Sequence, residues 1–244
     1  MRIAALSDIH GNLAALDCVL DDIARQGVDV IVNLGDILSG ALYPSETADR
    51  LMPLGLPTIK GNHERQLLAG DPSRMRLSDR FAHDSLREDQ IAWIRALPAT
   101  LRLSDEVLLV HGTPGSDLDY FLETVTETGC RVATHDEVKE RAGETRANLI
   151  LCGHTHLQRS MKLDDGRLVA NPGSVGLPAY YDDHPFPHRM EMGSPHARYA
   201  IATKGALGWE VEFRAIEYDW EQAAIVAGLN ERPDWETALR SGSC

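Results

Sequence analysis

The chain has 244 residues, 43% hydrophobic and 25% charged, and 24 Lys+Arg against 37 Asp+Glu give it a formal charge of −13. That length sits near the upper end of one globular domain, and acidity without a basic cluster argues against a duplex nucleic acid, whose phosphates require clustered Lys and Arg. No run approaches the ~20 apolar residues that span a bilayer, and the short apolar stretch Ile3–Leu6, closed by Asp8, is no signal peptide, so the expected compartment is the cytoplasm.

Ile3-Ala4-Ala5-Leu6 predicts a buried strand, which ends at Ser7-Asp8-Ile9-His10-Gly11-Asn12. Leu13, Leu16, Leu20, Ile23 and Ala24 then recur at helical spacing, with Asp17, Asp21, Asp22 and Arg25 on the other face, Asn12 as N-cap and Gly27 as stop. Val28–Leu34 predicts a second strand, halting at Gly35-Asp36; Pro44–Leu51 a helix; Thr58–Lys60 a third strand before Gly61-Asn62-His63-Glu64. After a helical stretch that includes Glu88–Leu97, the character changes. Strands are predicted at 100–104, 107–111, 149–152, 159–163, 168–171, 199–203 and 209–215, several joined by turns such as Asp164-Asp165-Gly166. Trp220–Leu239 returns to helix, interrupted around Asn230–Pro233. Alternation followed by strands argues for an α/β layered architecture. One domain, residues 1–244, is expected, with a motif-bearing core at 1–176 and a loop, strands and C-terminal helices at 177–244.

Five polar clusters fall at strand ends, where open α/β folds place their ligands: Asp8-Ile9-His10, Gly35-Asp36, Gly61-Asn62-His63-Glu64, His111 and Gly153-His154-Thr155-His156. In an extended chain, alternation within Asp8-Ile9-His10 and His154-Thr155-His156 sends both side chains of each pair to one side. Two carboxylates, four imidazoles and an amide form a mixed N/O donor set without thiolate, which suits manganese, iron or zinc. Seven donors are too many for one open catalytic ion and right for two ions that share a carboxylate, a recurrent device for displacement at phosphorus. Singly, each cluster reads as a turn or helix cap; turn chemistry does not explain histidines at 10, 63, 111, 154 and 156 in this order. Cys152 abuts the histidine pair, but a small buried hydrophobe is the plainer reading. His184, His188 and His196 lack ligand spacing.

The ordered set DxH, GD, GNHE, H and GHTH resembles the calcineurin-like metallophosphoesterase superfamily, and within it the small bacterial and archaeal phosphodiesterases that carry an Asn-Pro-Gly-Ser-Val stretch, here Asn171–Val175. The resemblance runs from residue 1 to about residue 176. It implies a four-layer αββα sandwich, two mixed β-sheets flanked by helices, and two divalent ions, manganese first. Asp8, His10 and His156 would hold the first, Asn62, His111 and His154 the second, and Asp36 would bridge them. His63 would contact the phosphate and protonate the leaving oxygen, with Glu64 orienting the loop. The implied activity is hydrolysis of a small phosphodiester or nucleotide by metal-bound hydroxide. The large protein phosphatases continue Gly-Asp with Asp-Arg, whereas this chain has Gly35-Asp36-Ile37-Leu38; the missing fork tilts the substrate from phosphoproteins toward diesters, unless Arg65 or Lys60 substitutes.

Two other functions fit the same resemblance, a DNA-processing nuclease and a non-catalytic scaffold such as a retromer subunit. Acidity counts against the first. His63, which the scaffold class lacks, counts against the second. Pro178–Pro195, with four prolines, Tyr180 and Tyr181, suits either a flap whose tyrosines stack on a nucleobase or a surface loop packed on the C-terminal helices.

Overall fold

Strand alternation sets the layers. In β1 (Arg2–Leu6), Ala4 and Leu6 face one core while Ile3 and Ala5 face another. β1 therefore belongs to a sheet buried on both faces. A computed structural model describes all residues, 1–244.

The elements run β1, α1 (Leu13–Ile23), β2 (Val30–Asn33), α2 (Pro44–Leu51), α3 (Asn62–Leu68), α4 (Leu77–Ser85), α5 (Glu88–Ala96), β3 (Leu101–Ser104), β4 (Val107–Leu109), β5 (Glu123–Thr126), β6 (Gly129–Val132), α6 (His135–Ala142), β7 (Leu149–Leu151), β8 (Gln158–Lys162), β9 (Leu168–Pro172), β10 (Ala179–Asp182), β11 (His188–Glu191), β12 (Ala197–Gly205), β13 (Gly208–Ile216), α7 (Trp220–Leu229) and α8 (Pro233–Ser241). One mixed sheet has the order β13-β12-β1-β2, the other β3-β4-β7-β9-β8. In the first, β1 and β2 are parallel; in the second, β4, β7 and β9 are parallel. The hairpins β5-β6 and β10-β11 stand apart from both sheets.

Three buried clusters give the layer sequence. Ile3, Val32 and Ile59 meet Val107, Leu149 and Leu168 between the sheets. Leu16, Val19, Ala224 and Trp235 pack helices α1, α7 and α8 on the outer face of the first sheet. Val138 and Ala142 pack α6 on the outer face of the second, with Phe121 and Leu122. Full burial of each such leucine or valine contributes about 1.5–3 kcal/mol. The result is the expected helix–sheet–sheet–helix sandwich. No helix is long and apolar enough to cross a membrane.

Most expected elements form. Asn12 caps α1, its side chain accepting from the Ala15 amide at 3.2 Å, and the C-terminal helix breaks between Leu229 and Pro233. Thr58–Lys60 is not a strand. It makes one parallel bridge, Asn33 to Thr58, because the chain must turn at once into Gly61. The stretch expected as a loop at 178–195 contains the hairpin β10-β11, which pairs Tyr180 with Met190 and buries the methionine. The hairpin β5-β6 and helix α6 lacked a strong period and went unpredicted.

Candidate metal centre

All five polar clusters follow parallel strands or precede α3. The loops after β1 and β2 meet those after β4 and β7 where the two sheets' carboxyl ends converge. The Asp8 amide donates to the Gly35 carbonyl (3.0 Å) and the His10 amide to the Asp36 carbonyl (3.1 Å). The Gly153 amide donates to the His111 carbonyl at 2.7 Å. Two groups result: Asp8, His10 and His156, and Asp36, His111 and His154. Asn62 joins the second through its Oδ1, 3.1 Å from His111 Nε2. The seven sequence-expected residues therefore converge, and all but His154 are buried.

The route to convergence differs from strand alternation. Asp8 (φ 55°), His10 (53°), Asp36 (53°), His154 (70°) and His156 (61°) are left-handed, and only Glu231 among the other non-glycine residues is. Each such residue costs of order 1–3 kcal/mol, so the surrounding contacts must hold these loops in place. They are dense. Glu64 accepts from the amides of Gly61 (2.9 Å), Asp36 (2.9 Å) and Ile37 (2.8 Å), tying two loops to the start of α3. A Cβ on Gly61 would collide with the Asp36 carboxylate, and one on Gly153 with the Ser7 hydroxyl. Beneath them, Asn171 donates to the Gly153 carbonyl (2.6 Å) and Thr155 Oγ1 (3.0 Å), while Ser174 donates to the Asp8 carbonyl (2.7 Å). The Asn171–Val175 stretch is thus a brace beneath the two loops. Glu64→Gln replaces an acceptor oxygen with a donor that faces buried amides. It is expected to lower Tm by roughly 2–10 °C, from about 1–3 kcal/mol of lost satisfaction, as a thermal melt will show.

The hydrogen bonds fix the tautomers, because a carbonyl only accepts. His10 Nδ1–H donates to Ser39 O (2.7 Å), His111 Nδ1–H to Leu34 O (2.8 Å) and His156 Nδ1–H to Leu177 O (2.6 Å). Each neutral ring then presents a bare Nε2 lone pair inward. His154 reverses the pattern, donating Nε2–H to Leu118 O at 3.1 Å and leaving Nδ1 for the centre. His10 and His156 bring bare Nε2 atoms within 3.1 Å of each other. His111 Nε2 likewise faces Asn62 Oδ1 at 3.1 Å and Asp36 Oδ2 at 3.0 Å. With its rings neutral, each group turns only acceptor atoms inward, and repulsion between these lone pairs is relieved by a proton, as on His111 beside Asp36, or by a cation. Two divalent ions therefore fit the donor set.

The titration behaviour follows the same charges. Burial, with the neighbouring His156, pushes His10 down to about 3. Burial also works against a charged His111, but the Asp36 carboxylate overrides it and lifts the imidazole to about 10. In return, and against its own burial, Asp36 is held well below the ordinary carboxylate range by His111 and His63.

His63 lies on the first turn of α3, its amide donating to Asp36 Oδ1 at 3.0 Å. Its Nδ1–H is held by Asp79 Oδ1 at 2.7 Å, leaving Nε2 free, and its ring sits edge-on to His10 at 5.3 Å. Burial opposes the charged form, but Asp36 and Asp79 together raise it to about 9. Asp79, itself buried, comes from α4, and no spacing in the sequence links it to His63.

Residues 178–195, which the sequence left as either a flap or a packed surface loop, place Tyr180 of the hairpin β10-β11 beside the candidate ligands. Tyr180 packs edge-on against His156 (4.7 Å) and donates to the His154 carbonyl (3.2 Å). Tyr120 joins it, 2.8 Å from the Tyr180 hydroxyl, 2.9 Å from His188 Nε2, and edge-on to His154 at 5.0 Å. His188 Nδ1–H donates to the Phe186 carbonyl (2.7 Å), so Tyr120 is the donor to Nε2. Tyr180 thus supports two candidate ligands, its ring against His156 and its hydroxyl at the His154 carbonyl. Tyr181 remains exposed. Tyr180→Phe is expected to weaken metal binding about tenfold, the lower end for residues behind a ligand, measured by chelator competition; unchanged affinity would make the hydroxyl irrelevant.

Other candidates resolve plainly. Cys152 is a buried hydrophobe in the α6-side core. His184 pairs with Asp183, His188 with Tyr120, and His196 with Ser194, so the three histidines share no site. Arg65 forks onto Asp117 at 2.6 and 2.9 Å, and Lys60 donates to the Arg95 carbonyl at 3.3 Å. Neither is free to replace the phosphatase arginine.

Known proteins carry the same frame. An uncharacterised protein of Methanocaldococcus jannaschii is 23% identical over 96% of this chain and 94% of its own. A metallophosphoesterase from Sphaerobacter thermophilus superposes with a TM-score of 0.77 at 24% identity, over 99% of each chain. A protein proposed as a diadenosine tetraphosphatase superposes with a TM-score of 0.54 at 19% identity, over 88% of this chain and 94% of its own. Residues 1–186 match the calcineurin-like phosphoesterase superfamily domain, and the chain belongs to that superfamily.

Proposed function

We propose that this protein is a dinuclear metal-dependent phosphoesterase acting on a small phosphodiester or nucleotide. In this reading Asp8, His10 and His156 hold one divalent ion, Asn62, His111 and His154 the other, and Asp36 is shared. The observation that carries it is the pair of acceptor-only pockets, with His10 and His156 Nε2 3.1 Å apart and both Nδ1 protons committed to carbonyls. Manganese is the first choice on donor chemistry, with iron and zinc compatible.

Divalent ions held there would supply acidification of a water and neutralisation of the phosphate oxygens. The chain's own groups do the rest. Backbone amides of His154 and His63 hold the Asp8 and Asp36 carboxylates in position. Asp79 accepts from Nδ1–H of the charged His63 ring, so the second proton, on Nε2, is the one delivered to the leaving oxygen, and the ring is left neutral. A scaffold has no use for an imidazole oriented this way.

The test is metal analysis of protein purified without chelator, joined to turnover of bis(4-nitrophenyl) phosphate with added Mn²⁺. About two equivalents of metal and chelator-sensitive turnover are expected. Stoichiometric metal without turnover would favour a scaffold.

A further inference from the structure

His63 and Asp79 border a second feature. One helical turn beyond His63 on α3, an open cavity of about 380 Å³ is lined by Gln66, Ala69, Asp71, Arg74, Met75, Arg76 and Asp79. That volume lies within the range of small-ligand sites. The residue that orients His63 thus forms one wall of the cavity.

Arg74 and Arg76 differ from the other arginines of this region. Nearby exposed arginines are neutralised: Arg65 by Asp117, Arg80 by Asp84, Arg87 by Asp49. Arg74 and Arg76 make neither an ion pair nor a side-chain hydrogen bond, although the chain carries a net −13. The acidic groups around them have other partners. Asp71 caps Ser73, accepting its amide at 3.0 Å and its hydroxyl at 2.7 Å. Asp79 holds His63, and Asp183, which feels the charge of Arg76, pairs with His184 at 2.7 Å. With the neighbouring carboxylates engaged elsewhere, both guanidiniums keep their forked donors available, and that fork matches phosphate oxygens.

We propose that this cavity receives the leaving group of the reaction, and that the leaving group carries phosphate, as in a nucleoside polyphosphate or an inorganic polyphosphate. The assignment rests on the phosphoesterase reading above, which sets His63 at the leaving oxygen. Water supplies the oxygen that bonds to phosphorus, and the phosphorus–oxygen bond to the leaving phosphate breaks. The departing oxygen keeps the electron pair, and the water's protons end on the two phosphate products or in solvent. Positive charge from Arg74 and Arg76 stabilises that departing anion where a neutral leaving half gains nothing.

The test compares the wild type with an R74A/R76A double variant on bis(4-nitrophenyl) phosphate, ATP and inorganic tripolyphosphate, all with Mn²⁺. Both residues are exposed, so the fold is not at stake. Each charge-assisted contact accounts for about tenfold or more. For the phosphate-leaving substrates kcat/KM is therefore expected to fall about 100-fold, at least tenfold further than for the aryl diester, and the difference should shrink as salt is raised. A selective loss on both ATP and tripolyphosphate assigns recognition to the phosphates; one confined to ATP adds the nucleoside. Equal losses on all three, or a wild type that cleaves only the aryl diester, overturn the inference and leave the phosphoesterase reading standing. No turnover of any substrate overturns both.

Discussion

Asp36→Ala is expected to remove both metals together and to lower turnover by at least about 10³-fold, because in the proposed dinuclear reading a shared carboxylate would be what holds two cations close enough to act together. Asp36 is the residue with contacts on every side of the centre. Its Oδ2 lies 3.0 Å from His111 Nε2, its Oδ1 accepts the His63 amide at 3.0 Å, and its own amide donates to Glu64 at 2.9 Å. Its left-handed φ of 53° is compatible with asparagine. Asp36→Asn therefore keeps the loop's shape while removing the charge, and separates loss of metal from loss of fold. The measurement is metal content by elemental analysis beside kcat on an aryl diester. Two equivalents of metal and a near-normal rate in either variant would sink the dinuclear reading.

Replacing His63 by Gln should leave both metals bound yet lower the rate by roughly 10²–10⁴-fold, the usual size of a general-acid contribution. None of its ring atoms is committed to the acceptor pockets. Nδ1 belongs to Asp79, and Nε2 is free. The loss should be largest for substrates with basic leaving groups and should shrink as the leaving group becomes a better one, since a stable anion needs no proton. Asp79→Asn tests the orientation: an amide that accepts from Nδ1–H keeps part of the rate, and Asp79→Ala keeps less. Equal losses across a leaving-group series would assign His63 to electrostatic positioning of the phosphate instead.

The sequence by itself determined the layers and the list of candidate ligands. The continuous apolar run Ile3–Leu6, helical spacing from Leu13 to Ile23 and polar residues at strand ends are local patterns, and local patterns persist when the chain folds. The order of Asp8, His10, Asp36, Asn62, His111, His154 and His156 was sufficient to group them, and the structure brings all seven together. Where reasoning stayed local it also erred. Asp22 reads as a solvent-facing helix residue, yet it is buried and accepts from the Tyr199 hydroxyl at 2.6 Å, because β12 lies over that face of α1. Tertiary structure alone decided that the ligand loops are left-handed rather than extended. It also aimed three histidines through Nε2 and one through Nδ1, the choice resting on carbonyls of Leu34, Ser39, Leu118 and Leu177 that carry no sequence signal. Asp79 reaches His63 from another helix, and Tyr120 meets Tyr180 across 60 residues, which sets the tyrosine pair beside His154 and His156. These are contacts between backbone or side-chain atoms far apart in the chain, and periodicity, which reports only which face of an element is buried, does not encode what lies against that face.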